Sequence, residues 1–340
     1  MFLNNGGKVE RKSNLKPSLI DIPVLLIFMA RPDQFGKVFE QVRIARPSRL
    51  FLYQDGPRKG RQDDIENIAR CREIAKNVDW NCQVFKMYQK KNIGCDPSVY
   101  LAQKWMFEHV DRGIILEDDI VVSQSFFPFC QEMLERYAED NRIGYICGMN
   151  HLEIYNNDPS NSYFFTSLDS IWGWATWKRT IDQWDEKLDF LNDINALSLL
   201  EKNIGQIYFK HKLQTWKQHK TSGKAYFESI LNSSLFLNSQ LSIIPSKNLI
   251  SNIGLTADAT HTSTPRNQLP KRLQQLFNMK RHELDFPLRR PKYIMNDIFY
   301  KDKVSNILGK NVSWLTSKKR SIKNKIRKIF IALTSKKITK

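Results

Sequence analysis

Long apolar runs are what this sequence lacks first. No stretch of 18 apolar residues occurs in its 340, which excludes an ordinary membrane-spanning helix. Metal-type cysteine spacing is missing too. The five cysteines, Cys71, Cys82, Cys95, Cys130 and Cys147, are odd in number and never form CxxC. Neither a thiolate zinc site nor a disulfide framework is expected, and the thiols read as reduced, in a cytosolic protein. The opening residues are polar, and the apolar run from Ile22 to Ala30 is broken by Pro23, so no secretory signal is expected. A Gly-rich, basic phosphate loop is absent after that run, where Arg31-Pro32-Asp33-Gln34-Phe35-Gly36 stands instead. Its absence counts against a sugar nucleotidyltransferase. Acidic residues vanish from 310 to 340, where eleven residues are Lys or Arg. This tail carries most of the net charge of +18. The body is only mildly basic and shows no recognisable nucleic-acid module, so nucleic acid is a poor candidate partner.

What is present suffices for a large core. The chain is 41% hydrophobic and 11% aromatic, enough for one large α/β domain or two smaller ones. Residues 1–20 read as a flexible basic leader. Residues 24–29 read as a buried strand stopped by Pro32, with Arg31 left at its carboxyl end. Phe35, Val38, Phe39 and Val42 then fall at helical spacing. Residues 49–53 form a second apolar run, closed by the turn signature Gln54-Asp55-Gly56-Pro57. A helix with Ile65, Ile68, Ala69 and Ile74 as its stripe, a strand over 83–88, and a helix opened by Asp96-Pro97 follow. This alternation predicts a doubly wound, mostly parallel sheet with helices on both faces.

Gly113-Ile114-Ile115-Leu116-Glu117-Asp118-Asp119-Ile120-Val121-Val122 is the most informative stretch. It is too short for a core helix and reads as a buried strand carrying three carboxylates. In an extended chain Glu117 and Asp119 point one way and Asp118 the other. Two such charges about 6–7 Å apart, at an effective dielectric of about 20, repel by roughly 2–3 kcal/mol. A divalent cation or a raised pKa would offset that cost, and oxygen donors suit Mg2+ or Mn2+. Arg31, Asp55 and the acidic group each follow a different strand, so in such a sheet they share one crevice. Each also has a plainer reading: Arg31 as a surface ion-pair partner, Asp55 as a turn residue.

Beyond residue 150 the texture changes. Ile171-Trp172-Gly173-Trp174-Ala175-Thr176-Trp177 places three tryptophans within six positions, as core residues or as faces for a sugar ring. Residues 265–291 read as a linker with one helix. In the tail, Ile322, Ile326, Ile329, Phe330 and Leu333 alternate with Lys and Arg. That is the pattern of a basic amphipathic helix lying on an anionic membrane surface.

The ordered set Arg31, Tyr53-Gln54-Asp55-Gly56, Leu116-Glu117-Asp118-Asp119-Ile120-Val121-Val122 and Phe126-Phe127 resembles the N-acetylglucosaminyltransferase I type of GT-A glycosyltransferase. With Trp172-Gly173-Trp174-Ala175-Thr176-Trp177, Asn248-Leu249-Ile250-Ser251-Asn252-Ile253-Gly254 and Ala259-Thr260-His261-Thr262, it is similar to bacterial enzymes related to that type. The resemblance spans residues 21–265, with a nucleotide-binding half over 21–150 and an acceptor half over 151–265; residues 266–340 are then linker and tail. It implies a GT-A fold and inverting transfer from a nucleotide sugar, UDP-linked, to a hydroxyl of a saccharide or lipid-linked glycan, in surface polysaccharide biosynthesis. It further implies Mn2+ or Mg2+ at Asp119 and His261. Arg31, Asp55, Glu117 and Asp118 would contact the nucleotide sugar, Glu228 would be the catalytic base, and Trp172 and Trp174 would contact the acceptor. The base position departs from the pattern, which calls for aspartate. The expected location is cytoplasmic, on the inner face of the cell membrane. The rivals are a sugar nucleotidyltransferase and a non-catalytic, membrane-surface carbohydrate-binding protein.

The tail reading has a direct check by vesicle co-sedimentation. Deleting residues 310–340 is expected to release the protein from anionic vesicles at physiological salt and to leave transfer to a soluble acceptor intact. Unchanged sedimentation would remove the tail from membrane binding.

Overall fold

The computed structural model describes residues 15–308, apart from 156, 169 and 256–267. The described chain begins with β1 (Val24–Phe28), α1 (Pro32–Ala45), β2 (Arg49–Gln54), α2 (Gln62–Ala75) and β3 (Gln83–Tyr88). These three strands pair in parallel. α3 (Cys95–Phe107) then returns the chain across β1, so that β4 (Arg112–Glu117) pairs with the free edge of β1. The chain then continues through β5 (Ile120–Val122), α4 (Phe126–Arg136), β6 (Ile143–Cys147), β7 (Tyr163–Thr166), β8 (Trp174–Trp177) and α5 (Lys178–Ile181). It closes with α6 (Ile194–Ile204), α7 (Gln206–Ser222), α8 (Phe227–Leu237), β9 (Leu241–Pro245), β10 (Ile250–Asn252), α9 (Lys271–Asn278) and α10 (Ile298–Leu308). The main sheet has eight strands in the order β3-β2-β1-β4-β8-β6-β9-β7 and is mostly parallel, as expected.

Strand order reverses between β1 and β4. In open α/β sheets such a switch point opens a crevice beyond the carboxyl ends of the strands. The apolar run of β1 fits its central place, because both of its faces are covered. Val24, Leu26 and Phe28 pack with Phe35, Val38 and Phe39 of α1. Leu25 and Ile27 pack on the other side with Val99, Ala102 and Trp105 of α3.

Residues 113–122 are not one strand. β4 stops at Glu117, Asp118 and Asp119 form a turn, and β5 leaves the main sheet to pair antiparallel with β10. The expected alternation of the three carboxylates fails for that reason: a period of two holds only while the chain stays extended.

The tryptophan cluster is also partly reassigned. Residues 174–177 form β8, which inserts antiparallel between β4 and β6. Trp174 is 1% exposed and stacks on Tyr145 at 4.6 Å. Trp177 is buried as well, and its indole N–H donates to the Leu134 carbonyl at 3.0 Å. Trp174 is therefore a core residue, and the acceptor contact expected of it is corrected.

Both ends of the described chain are held more firmly than the sequence suggests. Lys16 and Ile20 make isolated bridges to Trp80 and Pro47, and Lys16 pairs with Asp79 at 2.7 Å. The expected linker is a strap. His282 N–H donates to Asn248 O at 2.8 Å, and the Glu283 carboxylate accepts from Gln124 N at 3.1 Å and Ser125 N at 2.7 Å. That carboxylate caps α4 from far along the sequence, at the end where a negative charge is favoured. Asp297 N–H then donates to Phe165 O at 2.8 Å on β7. The basic tail expected to be helical lies outside the described residues.

Trp174→Ala is expected to cost about 3–5 kcal/mol of stability, the usual penalty for emptying an aromatic core site. Urea unfolding measures it. A stable variant with impaired acceptor binding would return Trp174 to the substrate.

Candidate functional site

The switch point holds a cleft of ≈ 430 Å³ whose lining includes Arg31, Asp55, Glu117 and Asp118. Pro32 stops β1 and starts α1, which leaves Arg31 at the helix N-cap with its side chain free to turn inward. Its guanidinium sits between two carboxylates. Nε lies 3.3 Å from Asp118 Oδ2, Nη2 is bonded to Asp118 Oδ1, and Nη1 is 3.0 Å from Asp119 Oδ2. The turn after Glu117 makes this possible by swinging both aspartates toward one cation.

Glu117 lies beside this pair, and among the described residues no cation forms an ion pair with it. Burial raises its pKa well above the ordinary carboxylate range; Asp119, Asp118 and Glu228 raise it further, and Arg31 only partly opposes them. Burial also pushes Asp118 up to about 6, with Arg31 pulling it down and Asp119 adding to the rise. For Arg31 burial works against the charge, but the two aspartates outweigh it and its pKa ends above normal. The site therefore stores like charge that a bound cation would relieve.

Asp55 has a different job from the one expected. Its carboxylate accepts from Gly56 N at 2.8 Å, Asn92 Nδ2 at 2.8 Å, Ile93 N at 3.0 Å and Gly94 N at 3.2 Å. Four bonds fill the acceptor capacity of a carboxylate. Asp55 thus pins the 92–94 loop and the start of α3 instead of presenting free oxygens to a nucleotide. Gly56 allows the close approach, since a Cβ there would lie 2.5 Å from the Lys91 backbone.

Glu228 lies in the first turn of α8 and is exposed. Its charge adds to the rise in the Glu117 pKa, so it lies within electrostatic reach of the acidic group. Trp172 is half-buried, with its ring 5.0 Å from Phe277 of α9. The neighbouring Gly173 packs close to Leu116 and Ile120, which flank the acidic residues. His261 lies outside the described residues.

Sequence reasoning missed Arg58, Arg61, Asn92, Cys95 and Ser98, all of which line the cleft. Only the first two carried a signal: Gly56-Pro57-Arg58-Lys59-Gly60-Arg61 is a basic loop between glycines directly after β2. Arg58 is held there by the buried Asp64, at 2.8 Å through Nε and 2.6 Å through Nη2. Asn92, Cys95 and Ser98 reach the cleft through loop and helix placement, which no spacing rule encodes.

Among the described residues no three His, Cys, Asp or Glu are arranged to hold a metal together. Asp119 keeps a 15% exposed side chain, and its carboxylate rests on Gly254, where a Cβ would overlap it. The donor set is all carboxylate, and hard cations at nucleotide sites take one or two carboxylates and fill their shells with phosphate and water. The residues fit a cation shared in that way.

No family model and no curated protein sequence matches this chain. Among solved structures, a 4-diphosphocytidyl-2C-methyl-D-erythritol synthase from Anaerococcus prevotii superposes over 48% of this chain and 74% of its own, at 9% identity and a TM-score of 0.28. A UDP-glucose pyrophosphorylase complexed with UDP-glucose does so over 48% and 78%, at 9% identity and a TM-score of 0.27. At that looseness neither likeness weighs on function.

The charge crowding is testable in chelator-treated protein. A carboxyl whose folded pKa is raised stabilises the fold below its unfolded pKa, about 4.3 for glutamate, and loses that contribution as pH rises. Glu117→Gln is therefore expected to match wild type near pH 4 and to exceed it increasingly toward neutral pH. Calorimetric midpoints across that range measure the gap; a constant gap would show that Glu117 is not held above the ordinary range.

Proposed function

We propose that this chain is an inverting, nucleotide-sugar-dependent glycosyltransferase of the GT-A, N-acetylglucosaminyltransferase I type. Its donor is UDP-linked, and its acceptor is a hydroxyl of a saccharide or lipid-linked glycan in surface polysaccharide biosynthesis. The observation that supports this reading is the carboxylate cluster bridged by Arg31 beside the switch-point cleft, with Glu228 near enough for its charge to add to the raised pKa of Glu117. The cluster suits a diphosphate with its counter-ion, and Glu228 suits an acceptor hydroxyl.

In the reaction so assigned, Glu228 takes the acceptor hydroxyl proton as the oxygen attacks C1 of the donor sugar. The C1–O bond to the diphosphate breaks, and its electron pair leaves with the phosphate oxygen. Arg31 supplies positive charge on the side of the departing diphosphate. Glu117, whose pKa burial and its acidic neighbours raise, faces a sugar or ribose hydroxyl. Asp118 fixes the Arg31 fork, and Asp55 fixes the loop against which the nucleoside lies. Trp172 offers an apolar ring face to the acceptor. Mn2+ or Mg2+ held by Asp119, with His261 as a second protein ligand, would neutralise the leaving diphosphate when bound.

Thermal-shift measurements with UDP, GDP, CDP and ADP, each with and without Mn2+, test the reading. One nucleotide is expected to raise the midpoint of the wild type only with metal; at a hundred times Kd the gain is about 2.7 kcal/mol. Asp119→Ala is expected to abolish that shift. Glu228→Gln should keep it while lowering kcat by about 10²–10⁴-fold, the usual worth of a general base. Sugar binding without nucleotide binding would favour a carbohydrate-binding protein. Release of pyrophosphate instead of a nucleoside diphosphate would identify a nucleotidyltransferase.

A further inference from the structure

The far edge of the sheet carries a second feature that the proposed chemistry does not use. α10 packs against β7, the last strand on the side away from β3. Its inner face is core: Tyr300 and Val304 are both fully buried. Among the described residues, its outer face and the segment before it carry large exposed apolar side chains, and the Lys292 ammonium lies 5.2 Å over the Tyr293 ring. Tyr293 is 62% exposed, Met295 69%, Ile298 55% and Phe299 60%. Four large apolar side chains within seven positions exceed the scattered exposure that a soluble surface normally carries.

The surroundings specify what covers them. α10 forms a ridge between two clefts. On one side Lys303 and Arg289 share a cavity of ≈ 540 Å³ with Lys247 and Tyr155, and the Lys303 ammonium lies 4.7 Å over the Tyr155 ring. On the other side Ile298 shares a cleft of ≈ 430 Å³ with Ile204 and Ile207, the latter 54% exposed. Residues 289–303 include Arg289, Arg290, Lys292, Lys301 and Lys303 against two acids, Asp297 and Asp302. Asp297 is internally committed, accepting from Tyr300 N at 2.9 Å and Tyr155 OH at 3.2 Å. The eleven basic residues of 310–340 begin two positions beyond the end of α10.

We propose that the α10 ridge is a membrane-docking surface: Tyr293, Met295, Ile298 and Phe299 enter the headgroup region of an anionic bilayer, and Arg289 and Lys303 hold lipid phosphate beside them. A protein partner would want shape and a closed rim. A bilayer wants an apolar wedge ringed by cations, with more cations to follow. The placement also orients the body. The ridge lies at the β7 edge and the nucleotide cleft at the β1–β4 switch point, so docking leaves the cleft open to solvent. The tail and the ridge are two signals, each weak alone, which is the usual requirement for stable peripheral binding.

The test uses the full chain, tail included. The variant Tyr293→Ser, Met295→Ser, Ile298→Ser, Phe299→Ser leaves every charge in place. Its expected partition onto phosphatidylglycerol vesicles at physiological salt falls by about tenfold or more, since apolar contact is lost while charge is kept. At low salt, where the Debye length reaches about 30 Å, the tail is expected to restore part of the binding. Arg289→Ser with Lys303→Ser is the second variant, expected to narrow the preference for anionic over phosphatidylcholine vesicles. Thermal midpoints and the nucleotide shift, read on both variants, report folding separately from docking. Vesicle partition equal to wild type in the folded serine variant overturns the proposal. So does a wild-type dimer in sedimentation velocity that the serine variant converts to monomer without loss of vesicle binding, which would make the ridge a self-association face.

Discussion

The interaction on which the rest depends is the Arg31 guanidinium held between Asp118 and Asp119. Three carboxylates in sequence cannot gather at the edge of a core without a cation among them. Arg31 is available because Pro32 ends β1 and fixes the residue before it at a helix start. It is reachable because β1 and β4 are adjacent and parallel, with Ile27 opposite Glu117. The switch point and the ion pair therefore require each other. Removing the cation from such a buried arrangement would leave carboxylates unpaired, a loss of about 3–5 kcal/mol in comparable cases.

Compensation is incomplete, and the shortfall falls on Glu117. Arg31 serves two aspartates and has little left for the third carboxylate. The protein thus holds a crowded acid with a raised pKa beside the cleft at the switch point. Stability is given up where a ligand can restore it. The same logic separates Asp55, whose four hydrogen bonds make it a girder, from Glu117, whose pKa burial and its acidic neighbours raise.

The acidic turn also leans on distant parts of the chain. Among the described residues β5 pairs with β10 alone, and Asp119 O accepts from Ile253 N at 2.9 Å. β10 follows Asn248, a fully buried amide that donates to Ile250 O at 2.7 Å and Lys280 O at 2.9 Å. Arg281 of the strap donates to Val122 O at 3.0 Å, closing the ring. The segment that covers the back of the acceptor half is therefore structurally continuous with the turn that presents the carboxylates. The exposed ridge of α10 lies further along that same segment.

Much of this was legible from the sequence because its signals are local. Continuous apolar runs marked β1, β2 and β4, helical stripes marked α1 and α2, and their alternation marked a parallel sheet. The position of Arg31, Asp55 and Glu117 just past strand ends was enough to bring them to one crevice. Other features were decided only by tertiary structure. The break of 113–122 into two strands depends on β10, more than a hundred residues away, which no local pattern announces. Trp174 became core and Trp172 stayed half-exposed because β8 happens to be inserted between β4 and β6. Asp55 became a loop anchor because residues 92–94 pass within hydrogen-bonding reach of it. Sequence determines which groups a short stretch can offer, since propensity and periodicity act over a few residues. Which partners consume those groups is settled by long-range packing, and in this protein that step separates Asp55, whose oxygens are filled by hydrogen bonds, from Glu117, which burial and like charge leave with a raised pKa.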